Sequence, residues 1–137
     1  VGHILQTITG TTTSGYNSTN STGQATNLAC VITRLAGSSK YIGQITTEMT
    51  TLSANVRGGV RVKSSDGTTI ESWWSIRNWS DAASSSGAFG FIIDSPPSGT
   101  ETYTVWTHSE DSTVFWFNYD TSNGPSVFTI SEIQEAA

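Results

Sequence analysis

No stretch of this chain repeats its apolar residues at the three-and-four spacing of a helix; every pattern has period two or is a short unbroken apolar run. Residues 3–9 read as a first strand, and 11–23 as a polar loop or weak edge strand. The run 26–34 has a continuous apolar middle, as a strand buried on both faces would. Residues 40–51 alternate loosely, with Ile42, Ile45 and Met49 as inward candidates. In 56–63, Val60 and Val62 alternate with Arg61 and Lys63, which read with Arg57 as one solvated strand face, and Gly58-Gly59 marks a bulge. Asp66-Gly67 between two strand-like runs is a hairpin signal, and the strand after it, 68–76, places Ile70, Trp74 and Ile76 on one face. A polar loop at 80–87 leads to a strand at 89–93, which stops at Asp94-Ser95-Pro96-Pro97 because proline cannot donate to a ladder. Three more strands follow, at 101–108, 113–119 and 126–133.

Short strands at hairpin spacing predict an all-β fold, a jelly-roll-like antiparallel β-sandwich of about eight to ten strands, rather than alternating strands and helices. At 137 residues the chain is one domain, 1–137, large enough to hold its own core. Its single cysteine, Cys30, allows no internal disulfide and reads as a buried small hydrophobe. The chain begins at Val1, and we expect it to be part of a longer protein. The net charge of −5 with scattered cations argues against nucleic-acid binding, and no apolar run approaches the roughly 20 residues of a membrane helix, so no membrane insertion is expected. A surface rich in Ser and Thr and poor in charge fits an extracellular or virion-exposed protein. The runs 28–32, 89–93 and 114–119 are apolar on both faces, and a second copy of the chain is the simplest cover for the face the sandwich does not use. A symmetric homo-oligomer is the expectation.

Several motifs occur in a recognisable order. They are His3-Ile4-Leu5-Gln6, Ala36-Gly37-Ser38-Ser39-Lys40-Tyr41-Ile42, Gly59-Val60-Arg61-Val62 and the turn Gly67-Thr68-Thr69-Ile70. Phe91-Ile92-Ile93-Asp94-Ser95-Pro96, Thr102-Tyr103-Thr104-Val105, Val114-Phe115-Trp116-Phe117-Asn118 and the closing Ser126-Val127-Phe128-Thr129-Ile130-Ser131-Glu132-Ile133 follow. Their order and spacing resemble the C-terminal domains of phage and marine-virus (cyanophage-type) tail fibre proteins over nearly the whole chain. That resemblance implies a jelly-roll-like domain at a fibre tip, assembled as a homotrimer on the virion, which attaches to a host-surface glycan or protein receptor. Trp73-Trp74, Trp79 and the Ser/Ala-rich loop at 80–87 depart from that pattern.

The residue inventory points away from catalysis. The acidic residues are scattered rather than paired, and only His3 and His108 exist to serve a Ser-His-Asp set. His108 ends a strand before an acidic turn and reads as a surface histidine beside Glu110 or Asp111. Loop carboxylates at Asp94, Glu110 and Asp111 offer weak calcium-type chemistry, and one cysteine with two distant histidines does not make a zinc site. No metal or cofactor is expected. The binding reading rests on aromatic rings, which present flat apolar faces to sugars at little entropic cost. Trp73, Arg77, Asn78 and Trp79 place two rings, an amide and a guanidinium in one short segment, and Tyr16 beside Asn17 and Asn20 offers a second loop. These five residues, Trp73, Arg77, Asn78, Trp79 and Tyr16, are the candidate ligand site. The competing reading turns Trp73, Trp106 and Trp116 to the core or to an oligomer axis. Two other functions remain open: a structural virion domain such as a trimerisation knob or decoration protein, and a carbohydrate-binding module of a secreted enzyme.

Overall fold

The computed structural model describes residues 2–52, 56–77, 83–110, 113–119 and 124–135, the side chains at 75–77 and 83–84 excepted. Among the described residues there are ten strands and no helix. They are β1 (His3–Thr12), β2 (Tyr16–Ser18), β3 (Gln24–Thr33), β4 (Ser39–Thr51), β5 (Arg57–Ser64), β6 (Thr69–Arg77), β7 (Ala83–Ile93), β8 (Thr100–Ser109), β9 (Phe115–Phe117) and β10 (Ser126–Gln134). All pairings are antiparallel and form two sheets. In the first, β4 is central. It pairs with β7 on one side and, on the other, with β10 over residues 39–46 and with β9 over residues 49–51. Beyond these lie β1, on β10, and β2, on β9. The second sheet has the order β3-β8-β5-β6.

The β5–β6 hairpin is closed by the chemistry expected of Asp66-Gly67. Gly67 takes φ +87°, and Asp66 accepts hydrogen bonds from the Thr68 amide at 2.8 Å and the Ser64 hydroxyl at 2.6 Å. The two sheets face each other as a sandwich, with the core between them. Leu28 and Ile32 of β3, Tyr41 and Ile45 of β4, Val60 and Val62 of β5, Tyr103 and Val105 of β8, and Phe128 and Ile130 of β10 are all buried there. Each such apolar side chain contributes about 1.5–3 kcal/mol by leaving water. Cys30 joins them, donating its thiol toward the Phe128 carbonyl at 3.2 Å, and burial pushes it up to about 11, which makes it an unreactive thiol.

The strands that read as apolar on both faces bury one face only. Leu28, Cys30 and Ile32 point in while Val31 is 55% exposed, and Phe91 points in while Ile92 is 58% exposed. Ile42, expected inward, lies on the outer face, because Tyr41, Gly43 and Ile45 hold the inward parity of β4. The polar segment 80–87, expected as a loop, belongs to β7 from Ala83 onward: its short Ser and Gly residues pair with the long β4, from Gly87 opposite Thr47 to Ala83 opposite Thr51.

Candidate functional site

The open face of the β3-β8-β5-β6 sheet is built by one simple alternation. Val60 and Val62 of β5 point into the core, so Arg61 and Lys63 point outward. On β8, Tyr103 and Val105 point inward, which turns Trp106 to the same outer face, where it pairs directly with Arg61. The Lys63 ammonium lies over the Trp106 ring, 4.1 Å from its centroid. At the next position along, Gly59 pairs with Trp74 on β6, and the Arg57 guanidinium stands 5.0 Å over that ring. Arg57 also pairs with Glu110 at 3.4 Å. Arg61 is half-buried between them; its Nη1 donates to the Thr22 carbonyl at 3.4 Å, and its Nε is buried with no hydrogen-bond partner among the described residues. Burial lowers its pKa from the ordinary guanidinium value. Three of the six cations of an acidic chain thus stand in a row on one strand, and two of them are steadied by an indole face.

Beneath this row lies His108. It pairs with Gly59, and the Trp74 ring meets it edge-on with centroids 4.3 Å apart. The imidazole is completely buried, which corrects its reading as a surface residue beside the acidic turn. Neither ring nitrogen has a partner among the described residues, and burial, with the Arg61 charge adding to it, pushes the pKa down to about 4.

The residues expected to form the site divide. Trp73 is half-buried and turned inward, packed on Phe89 and Phe91 at centroid distances of 5.3 and 6.1 Å, so it serves the core. Tyr16, on β2 of the other sheet, also packs against the core, opposite Phe117. Arg77 ends β6 opposite Arg57, but its side chain, together with Asn78 and Trp79, lies outside the described residues. The structure therefore does not bring Tyr16 and Trp73 together. Reading from sequence missed Trp74, Trp106, Arg61 and Lys63 as a group. The alternation of Arg61 and Lys63 against valines was visible; their register with Trp106 was not.

A second feature is a shallow groove of about 380 Å³ on the first sheet, lined by Thr46, Glu48, Ser86, Asn118, Gly124 and Ser126 among others. It is hydroxyl-rich, and no aromatic ring lines it among the described residues. Among the described residues, no three His, Cys, Asp or Glu side chains gather as metal ligands would. In comparisons with known proteins, no family model matches the chain, and no curated protein matches it.

Proposed function

We propose that this chain is a non-catalytic attachment domain, the receptor-binding tip of a viral tail fibre, which works as a homotrimer on the virion and holds a host-surface glycan. The observation that carries the reading is the difference between the two outer faces of the sandwich. One presents the row of Arg57, Arg61 and Lys63 with Trp74 and Trp106. The other is a grid of twelve uncharged residues on four strands: Thr7, Ser131, Ile42 and Ile92 in one row, Thr9, Thr129, Gln44 and Gly90 in the next, Thr11, Val127, Thr46 and Ala88 in the third. Lys40 and Glu48, outward on β4 at either end of the grid, frame it with opposite charges, and the uncharged patch between them can meet its own copy with no like-charge repulsion, although each protomer carries −5 overall. The charged face is then left for a ligand.

The strand order supports a jelly roll in particular. With β2 and β9 set aside as short extensions, the sheets read β1-β10-β4-β7 and β3-β8-β5-β6, and among the described strands β5–β6 is the one pair of neighbours joined as a hairpin within a sheet. The chain otherwise passes from sheet to sheet, the winding of two Greek keys. The resemblance to phage tail fibre tips supplies the viral setting.

The purified chain added to host cells before infection is expected to bind them and reduce plaque formation in proportion to occupancy. A chain that sediments as a stable trimer but neither binds the cells nor competes would speak for a trimerisation knob instead, and this reading would be abandoned.

A further inference from the structure

We propose that the ligand of the β3-β8-β5-β6 face is a linear acidic polysaccharide, read through the charges along β5 rather than by stacking of neutral sugars on tryptophan. The proposal rests on the attachment reading for its setting and deepens it by naming the ligand's chemistry.

The described indole rings are already committed. Trp73 is packed against Phe89 and Phe91, Trp74 carries Arg57 on its face and His108 at its edge, and Trp106 carries Lys63. Trp116 is half-buried and meets Tyr119 at 5.0 Å. What this face offers outward is therefore cationic nitrogen, positioned by aromatic rings. A long flexible lysine normally loses side-chain entropy when it grips an anion; one already resting on a ring loses less. Among the described residues, the carboxylate within ion-pair distance of this row is Glu110, on Arg57, so Arg61 and Lys63 keep their charge for a ligand.

Spacing decides between polyanions. Residues two apart on a strand are separated by about 6.8 Å, and Arg57 to Lys63 spans roughly 20 Å. A nucleic acid carries a charge every ~1.7 Å of duplex axis, or ~3.4 Å along one strand, far denser than this row can neutralise. Single-stranded nucleic acid also needs open ring faces for its bases, and each of these two rings already carries a cation over one face. A chain of sugars with one acidic group per one or two units fits a sparse row with uncharged neighbours. Those neighbours are present in Thr102 and Thr104 on β8, beside the row, and in Ala29 and Val31 on β3 beyond it.

The test is titration of the full chain with four probes at two salt concentrations: polygalacturonate, dextran sulfate, neutral dextran and oligo-dT. Binding to at least one acidic polysaccharide, weakening with salt, and none to dextran is expected. Lys63→Gln and Arg61→Gln should each weaken it roughly fivefold and flatten its salt dependence by about one charge. Lys40→Gln removes the same charge at the other sheet, where Lys40 pairs with Glu135, and should leave binding unchanged. Equal loss in Lys40→Gln, equal or tighter binding of oligo-dT, or failure of both acidic polymers would overturn the proposal. Host-cell binding that survives an excess of both acidic polymers would sink the ligand chemistry and spare the attachment reading. Acidic-polymer binding by a chain that does not touch host cells would do the reverse.

Discussion

Glu132 holds a carboxylate at a position with no solvent exposure. It is completely buried in β10, and four donors converge on it: the Gln6 side-chain amide at 2.6 Å, the Leu35 and Ala36 backbone amides at 2.9 and 3.0 Å, and the Ser39 hydroxyl at 2.5 Å. Burial alone would raise its pKa; the hydrogen bonds from Ser39, Gln6, Ala36 and Leu35 together outweigh that and hold it below the ordinary carboxylate value. The side chain thereby ties β1, the β3–β4 corner and β4 to β10. Glu132→Gln turns an NH2 toward donors and leaves at least one of them without an acceptor, so a loss of about 3 kcal/mol is expected in urea unfolding, with the fold retained. His108 works in the opposite direction. Its folded pKa of about 4 is depressed from the usual 6.5, so between these values the unfolded chain binds a proton that the native ring refuses. The stability linked to the neutral ring is present above pH 6.5 and lost as pH falls toward 4, on the order of 3 kcal/mol. His108→Leu removes the proton site and two nitrogens without a hydrogen-bond partner among the described residues, so its stability should be flat where the parent's declines. Denaturant midpoints at pH 7, 5.5 and 4.5 check this, and parallel curves for the two proteins would refute it.

At the scale of the element, the β5–β6 ribbon shows what a strand pattern conveys and what it hides. Val60 and Val62 against Arg61 and Lys63 is legible in the sequence because alternation is local, and the Asp66-Gly67 turn is legible because its chemistry sits in adjacent residues. The face of Trp74 was not legible. Val62 pairs with Glu71 and Lys63 with Thr69, so Ile70 is an extra residue, and after it the parity of β6 reverses. Ile70 and Trp73 therefore both pack on the core while Trp74 turns out, against the expectation that Ile70 and Trp74 share a face. The burial of His108 was hidden for a similar reason: the Trp74 ring that meets it edge-on reaches it from β6, across Gly59 of β5, which pairs with both residues. Gly59 is also where the ribbon is most crowded. A Cβ there would run into the Trp73 carbonyl oxygen, which is backbone and cannot swing aside. Gly59→Ala should cost more than about 3 kcal/mol and loosen the whole cation row. Gly67→Ala, in open space but at φ +87°, should cost only about 1 kcal/mol. Thermal unfolding of the two variants side by side reads the difference; equal losses would mean that the ribbon relaxes around Gly59.

For the whole molecule, the two outer faces ask for different surroundings. Ile42 is 40% exposed and Ile92, its direct partner on β7, is 58% exposed, in a grid where no position bears a charge. In a lone protomer these side chains lie against water and contribute little to folding, so altering Ile42 changes stability within about 0.5 kcal/mol. In an assembly that stacks this face on sister copies the same position is buried, and an unpaired carboxylate there costs several kcal/mol per copy because it gives up its hydration for no partner. Ile42→Glu therefore separates the two cases. If trimers form through this grid, the parent sediments as a trimer at micromolar concentration, and Ile42→Glu sediments as a monomer with an unchanged far-ultraviolet spectrum. The outward cations of β5 lie on the other sheet, so the monomer should still bind an acidic polymer through one site while losing the avidity that three linked sites supply. A parent that is monomeric throughout, or an Ile42→Glu variant that remains trimeric, would move self-association away from this face and return the grid to solvent.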